Sequence, residues 1–435
     1  MNMKMLTRLM ALVMALVMAS ALALAENDAD DMLAMVGDKA IVRSEYENHL
    51  ATLTDYYAGI GYDVSDPALA ALLQQFALQT AVEYAVMDIK LVELGLELTA
   101  EERDAAATKA KDDWDRTVTD GMNYYGLSEE STEEERNQLL LSVLAELESL
   151  GYTEEGYVAD ALRYAGYDKI FAYTTEAVTV TEEEVIAYYN NLVAADEAVY
   201  ANDAGAYEET QYMNELYAAY GMTDYVRNIY YKPAGYRLVT HILLMADEAL
   251  LTAYADLQAA YEEQQNTLEE GGEVSGDAIT AEEVENARLA ILAFVQPTMD
   301  EINQKLADGA TFAELIPLYT ADTGMMDEAS IAAGYEVHMD STNWVIPFRD
   351  QAFTVNNIGD ITAPVVTDYG VHILQYVADV PGGPVELTEE MKIGFMTDLL
   401  ASAQNDAYYA ALDAWVQETE VVYSEEAKAI LGITE

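Results

Sequence analysis

Thr240-His241-Ile242-Leu243-Leu244 and, far along the chain, Thr367-Asp368-Tyr369-Gly370-Val371-His372-Ile373-Leu374 decide the reading of this sequence. Each is a strand-like apolar run, and together they carry two of the chain's four histidines. Side chains alternate faces along a strand, so His241 shares a face with Val239 and Leu243, and His372 shares one with Leu374. If the two strands are neighbours, imidazoles remote in sequence meet over one sheet and bond each other or a third group.

Between these two strands, ordered strings fill the interval. Ala307-Asp308-Gly309-Ala310-Thr311-Phe312-Ala313-Glu314-Leu315 reads as a helix-to-helix segment, and Leu318-Tyr319-Thr320-Ala321-Asp322 comes next. Trp344-Val345-Ile346-Pro347-Phe348-Arg349-Asp350-Gln351-Ala352-Phe353 and Ile358-Gly359-Asp360-Ile361-Thr362-Ala363-Pro364-Val365 lead into the last strand. In these strings the chain resembles the parvulin-type peptidyl-prolyl cis-trans isomerases, whose domains open on a His-Ile-Leu strand and close on Gly-x-His-Ile. The resemblance implies His241 and His372 as a hydrogen-bonded catalytic pair, with Asp322 beside the bond that rotates. It also implies an apolar cup for the substrate proline made by Trp344 and Phe348, with Phe353 packed behind and Ile346 at the edge. The chain departs from the family at Ala333-Gly334-Tyr335-Glu336-Val337, where a Gly-Gly-Asp-Leu-Gly-like run is usual, and at Trp344, where Met or Leu is commoner. These departures bear on catalytic rate more than on fold.

Lys4 and Arg8 precede an apolar stretch, Leu9 to Leu24, that ends in Ala23-Leu24-Ala25 before an acidic segment. This is the pattern of a secretory signal peptide cut after Ala25, and the apolar run is shorter than the roughly 20 residues a membrane span needs. The expected location is therefore extracytoplasmic. The sequence has no cysteine, which excludes a lipoprotein anchor, disulfides, thiol catalysis and cysteine metal sites. The 79 acids against 20 bases give a net charge of −59, which argues against a nucleic-acid partner and for a soluble, self-repelling surface. Basic unfolded clients and diffusely held divalent cations suit such a charge; a salt-adapted surface is the alternative. Asp112-Asp113-Trp114-Asp115 lacks the spacing and closing Glu of a calcium loop, so no specific metal is expected.

Of the eight prolines only Pro67 precedes residue 233, which separates a helical front from a mixed middle. Helix starts are legible in the front: Asp66 with Pro67, Thr99 with Glu102, Thr132 with Glu135, and Thr181 with Glu184. From Leu69 a 3.6-residue apolar period runs through Leu72, Leu73, Phe76, Tyr84, Met87 and Leu91 as one long amphipathic helix. Met35 to Tyr46 reads as a hairpin feeding a helix, similar to openings in PrsA-like and SurA-like export foldases, and Val178 to Tyr189 resembles the segment that precedes their isomerase domain. After the His241 strand, Asp247 to Glu270 reads as an inserted helix, longer than the parvulin pattern allows, and Thr280 with Glu283 caps the helix that resumes it. A final helix runs from Thr388 to near Thr419.

The implied fold class is α+β: a mainly helical SurA-like chaperone domain, formed by the N-terminal part and a C-terminal helix, with one parvulin-like α+β domain. Its expected divisions are a signal peptide over 1–25, the helical domain over 26–233, the isomerase domain over 234–381 with an insertion near 247–280, and a C-terminal segment over 382–435 that packs on the helical domain. The paired tyrosines of the front half, such as Tyr124-Tyr125 and Tyr188-Tyr189, suit a surface that holds unfolded chains, and equally suit half-buried helix faces. The expected activity is X-Pro isomerisation in exported, partly folded polypeptides, with no cofactor and no phosphate requirement, since Arg237, Lys305 and Arg349 are scattered. Two rival readings use the same residues. One is an export chaperone whose isomerase domain is inactive and serves binding; the other is a His/His/Asp metal site, for which the sequence shows no ligand spacing. His49 and His338 match no site pattern, and no Gly-x-Ser-x-Gly elbow supports a hydrolase.

Overall fold

Caps written into the sequence set the helical front. The computed structural model describes residues 31–274 and 278–433, so the expected signal segment lies outside the described residues. Strands β1 (Met32–Val36) and β2 (Lys39–Val42) form a hairpin that runs directly into α1 (Arg43–Gly59). Helix α2 (Pro67–Glu93) starts where Asp66 Oδ1 accepts from the amides of Ala68 (2.7 Å) and Leu69 (3.2 Å), with Pro67 at the first turn, where its missing N–H is not needed. Capping boxes at Thr99–Glu102 and Thr132–Glu135 open α3 (Ala100–Tyr124) and α4 (Glu133–Ser149), and α5 (Glu154–Thr175) completes this stretch.

The chain falls into two compact units, one comprising the residues up to Thr181 together with those from Met396, the other Glu182–Phe395. The division falls at 181–182, whereas the sequence pattern places it at 233–234. Residues 182–233 group with the sheet-bearing part of the chain because α6 (Glu182–Tyr200) and α7 (Ala204–Ala219) share a tyrosine cluster with the next strands: Tyr200, Tyr207 and Tyr236 are buried together. Asp196 on α6, itself buried, ties down the incoming chain by accepting from Arg227 Nη2 and the Tyr230 amide, both at 2.6 Å.

In this second unit β3 (Tyr231–Lys232) precedes β4 (Arg237–Leu244), which carries His241. Then come α8 (Glu248–Glu269), α9 (Ala281–Ala307), α10 (Phe312–Tyr319), α11 (Glu328–Ala333), β5 (Tyr335–Val337), α12 (Ile346–Gln351), β6 (Val365–Thr367) and β7 (Gly370–Asp379). The four strands make an antiparallel sheet in the order β5-β4-β7-β6. One face, with Ile242, Leu244, Val371 and Ile373, packs on α9 and α10 through Ile291, Val295, Ile302, Phe312, Leu315 and Ile316. Opposite it, Val239 and Leu374 pack with Val337, Phe348 and Ala352. The alternation that puts aliphatics on the first face puts both histidines on the second.

Helix α8 is the inserted helix expected after the His241 strand, and α9 is the helix that resumes the pattern. Asp247 caps α8, a capping box of Thr280 and Glu283 starts α9, and the Gln264 amide clips the connection by bonding both the N–H and the C=O of Ile279. Leu250, Leu251 and Tyr254 lay the first turns of α8 on the core.

The chain then forms β8 (Gly383–Pro384), α13 (Glu389–Glu418), β9 (Val421–Tyr423) and α14 (Glu425–Leu431). β9 pairs antiparallel with β1, matching Ala34 to Tyr423, and Leu412 and Ala427 join Leu33, Ile41, Leu78 and Val86 in the core of the first unit. The architecture is α+β, mainly helical. Among the described residues no helix is long and apolar enough to cross a membrane.

Candidate active site

Register brings the two histidines together. Leu243 lies opposite His372 and His241 opposite Leu374, so the imidazoles are diagonal neighbours on one face, within reach of each other across the β4–β7 ladder. The turn that aims His372 needs glycine at 370: its φ is +137°, and a Cβ there would come within 2.5 Å of the Leu244 carbonyl oxygen. Gly334, at φ +60° with the Val239 carbonyl 3.0 Å from where its Cβ would stand, likewise lets the chain turn into β5 and deliver Tyr335 to the same face.

Both imidazoles are buried, His241 at 3% exposure and His372 at 5%. Their Nδ1 atoms lie 3.0 Å apart, His241 Nε2 is 2.7 Å from Asp322 Oδ2, and His372 Nε2 is 2.8 Å from Thr367 Oγ1. These partners fix the protons. Asp322 only accepts when ionised, so His241 carries its proton on Nε2 and accepts at Nδ1. His372 therefore donates from Nδ1 and accepts at Nε2 from the Thr367 hydroxyl, whose oxygen accepts from the Tyr369 amide at 3.1 Å. The result is a one-way chain of donors: Tyr369 N–H, Thr367 O–H, His372, His241, Asp322. Asp322 ends it, also accepting from the Tyr335 hydroxyl at 2.7 Å and from the Gly324 amide at 2.9 Å.

The electrostatics agree with neutral rings. Burial pushes His372 down to about 3, and the neighbouring His241 adds to the effect. Burial also lowers His241, against the pull of its bond to Asp322. Burial works to raise Asp322, but hydrogen bonds from Tyr335, His241 and the Gly324 amide outweigh it and hold the carboxyl below its ordinary value. Asp322, whose side chain is 22% exposed, is the charged member of the group that reaches water.

Of the residues expected around the cup, Phe348 is buried at 2% and stands edge-on to both imidazoles, with ring centroids 5.2 Å from each. Trp344 stacks on Phe348 at 5.2 Å and meets Tyr335 in a tilted contact at 4.8 Å, and its Nε1 donates to the Glu336 carbonyl at 3.0 Å. A ring held between Trp344 and Phe348 needs about 7 Å, two contacts of about 3.5 Å. The expected open hollow between them is therefore closed by their own stacking. Ile346 is 61% exposed, outside this stack. Phe353 is half-buried and holds the end of α12 to β4: the Arg237 guanidinium lies 4.6 Å from its ring and 4.4 Å from that of Tyr376, and donates to the carbonyls of Ala352 and Val355.

Tyr335 and Thr367 carry no site signature in the sequence pattern, yet both bond into this group. Thr367 sits in the quoted His372 string, where a hydroxyl five residues before a strand histidine is the available signal. A further buried group lies behind the loop that carries Trp344. Glu208 of α7, 3% exposed, accepts through Oε2 from the Ser341 hydroxyl (2.9 Å) and the amides of Thr342 (3.0 Å) and Asn343 (3.3 Å), and through Oε1 from Tyr236 (3.0 Å). Among the described residues no cluster of His, Asp and Glu is placed to hold a metal ion.

A family model described as the PPIC-type PPIASE domain matches residues 282–379, so this part of the chain is a parvulin-type domain. The match begins beyond the inserted helix α8, and β4 with His241 completes the sheet from before it. Foldase protein PrsA 2 of Listeria monocytogenes serotype 4b (strain F2365) is 42% identical over 76 residues, which are 17% of this chain and 24% of that protein. Foldase protein PrsA 2 of Listeria innocua serovar 6a is 41% identical over 76 residues, so the chain spans about a quarter, 24%, of the curated relatives it matches. Among solved structures, PrsA from Bacillus subtilis aligns over 94% of this chain and 98% of its own at 14% identity, with a TM-score of 0.20.

Proposed function

We propose that this protein is an exported foldase, a helical chaperone whose parvulin-type domain catalyses cis-trans isomerisation of X-Pro bonds in unfolded or partly folded exported chains. The observation that carries the reading is the one-way hydrogen-bond chain through His372 and His241 to Asp322, set beneath Phe348 on the sheet of a parvulin-type domain.

The reaction breaks no bond. Its barrier of about 18–20 kcal/mol comes from amide resonance, which places partial negative charge on the carbonyl oxygen. An ionised Asp322 near that oxygen disfavours the charge-separated form and so weakens the C–N double bond, and each 1.36 kcal/mol gained is tenfold in rate. Neutral His241 and His372 hold Asp322 in place and move no proton. The prolyl ring enters when Trp344 swings off Phe348, so an aliphatic ring replaces the indole against Phe348 and shuts water out of the rotating amide.

The inactive, binding-only reading draws on the closed Trp344–Phe348 stack. Isomerisation of a proline peptide and refolding of a proline-limited client, measured on the wild type and His241→Ala, separate the two. A wild-type rate above the enzyme-free control that falls in the variant supports the isomerase; three equal rates leave the binding module. Secretion with cleavage after Ala25 is part of the same reading, and the N-terminal sequence of the exported protein tests it.

A further inference from the structure

The inserted helix α8 does more than cover the core. Gln258 and Glu262, near its middle, form one wall of an open groove of about 530 Å3 whose other wall is the loop carrying Asn343, Trp344, Ile346 and Pro347. That volume lies within the range of clefts that take small ligands, about 300–1,000 Å3. Trp344 belongs to both places, stacking on Phe348 on one side and lining the groove on the other. On the isomerase reading, a chain whose prolyl ring displaces Trp344 lies beside this groove, which Trp344 also lines.

The polar chemistry of the groove is one-sided. Glu262 accepts from Gln258 Nε2 at 3.0 Å and has no cationic partner among the described residues. Arg349, the cation next to Phe348 in sequence, is already engaged with the Asp350 carboxylate at 2.8 Å. We propose that α8 and the 342–347 loop form a client-binding subsite that accepts a Lys or Arg near the isomerised proline, with Glu262 as its counter-charge and Trp344 and Ile346 against the aliphatic stem. Long basic side chains suit such a site, because the stem packs on apolar surface while the charged head stays in water. The substrate named here rests on the isomerase reading above.

The test uses the full chain and fluorescein-labelled proline peptides that carry Lys, Gln or Glu at each position from two before to two after the proline. Affinity is read by anisotropy and turnover by the isomerisation rate, on wild type, Glu262→Gln, Glu262→Lys and Glu263→Lys. Glu263 is the neighbouring exposed acid on the same helix and does not line the groove, so its reversal makes the same change in net charge. At one flanking position the wild type should favour Lys over Gln about two- to fivefold, the range of an exposed ion pair, with the preference shrinking as salt rises. Glu262→Gln should abolish the preference, Glu262→Lys should reverse it towards Glu, and Glu263→Lys should leave it. Equal binding of Lys and Gln peptides at every position, or equal effects of the two Lys variants, overturns the subsite. A Lys preference in affinity without turnover by any protein keeps the subsite and removes the isomerase.

Discussion

Glu208 is the residue whose loss should be felt furthest from its own backbone. It lies on α7, yet it organises the 341–343 loop that presents Trp344, and four donors converge on its carboxylate. Replacing it with Ala strands the Tyr236 and Ser341 hydroxyls, whose residues are 3% and 1% exposed, while the amides of the exposed Thr342 and Asn343 can turn to water. Each stranded buried donor costs about 1–3 kcal/mol, so with two of them Glu208→Ala should destabilise the second unit by about 2–6 kcal/mol, a large share of a domain's stability. Glu208→Gln behaves differently. Its amide oxygen can take the place of Oε2 and keep the Ser341, Thr342 and Asn343 bonds, so Gln strands only the Tyr236 proton, at a cost of about 1–3 kcal/mol, roughly half that of Ala.

The chain has three tryptophans, so Trp114→Phe with Trp415→Phe leaves Trp344 as the sole indole reporter, and urea unfolding tracked by its emission reads this unit alone. In that background Glu208→Ala should also shift the native emission of Trp344 and raise KM for proline peptides more than it lowers kcat, since it loosens the loop and not the His241–Asp322 pair. Equal destabilisation by Ala and Gln, or an Ala cost below about 1 kcal/mol, would refute the view that the carboxylate's acceptor geometry holds the loop.

Further expectations concern the hydrogen-bond chain. Because His372 sits near 3 in the folded protein and its ordinary value is 6.5, the unfolded chain binds the proton first as pH falls. Stability of the second unit should thus decline from about pH 6.5 towards 3, by up to about 1.4 kcal/mol per pH unit for this group, and His372→Gln should flatten that slope in acid-titrated unfolding. Asp322, held below its ordinary value, adds stability that is present above about 3.8 and is lost as pH falls through its folded value, so both effects run the same way. Turnover should show no inflection near 6.5, and nitrogen NMR should place the neutral protons on His241 Nε2 and His372 Nδ1; an inflection there that disappears in His372→Gln argues against neutral rings. Asp322→Asn should keep the fold and lower kcat about ten- to a hundredfold, the effect of losing about 1.4–2.7 kcal/mol of electrostatic bias against the planar amide, and a loss under twofold would remove the carboxylate from the mechanism. Thr367→Val leaves His372 Nε2 and the Tyr369 amide unpaired and should cost about 1–3 kcal/mol by thermal or urea unfolding.

Local and periodic features are the ones legible in the amino-acid sequence. The helix starts at Asp66, Thr99, Thr132, Asp247 and Thr280 can be read because a cap and its partners lie within three residues of each other. The meeting of His241 and His372 is legible because strand alternation and two recurring strings constrain both ends of one ladder. Glu208 is invisible by the same logic, since its partner Ser341 is 133 positions away and neither neighbourhood carries a pattern. Strand β9 is only three residues long, and what makes it a strand is the edge of β1 that receives it. Tyr335 stands inside the run that departs from the family pattern, and that departure has a physical use. A glycine-rich run leaves Asp322 to water and His241, whereas a tyrosine hydroxyl at 2.7 Å gives the carboxylate a third donor and supplies a ring for Trp344 to lie on. The same substitution that marks the loop as atypical in sequence thus both strengthens the charged end of the hydrogen-bond chain and helps close the aromatic stack over it. On the proposed isomerase reading, activity is set by how readily Trp344 leaves Tyr335 and Phe348, a balance of a few aromatic contacts that no spacing of residues encodes.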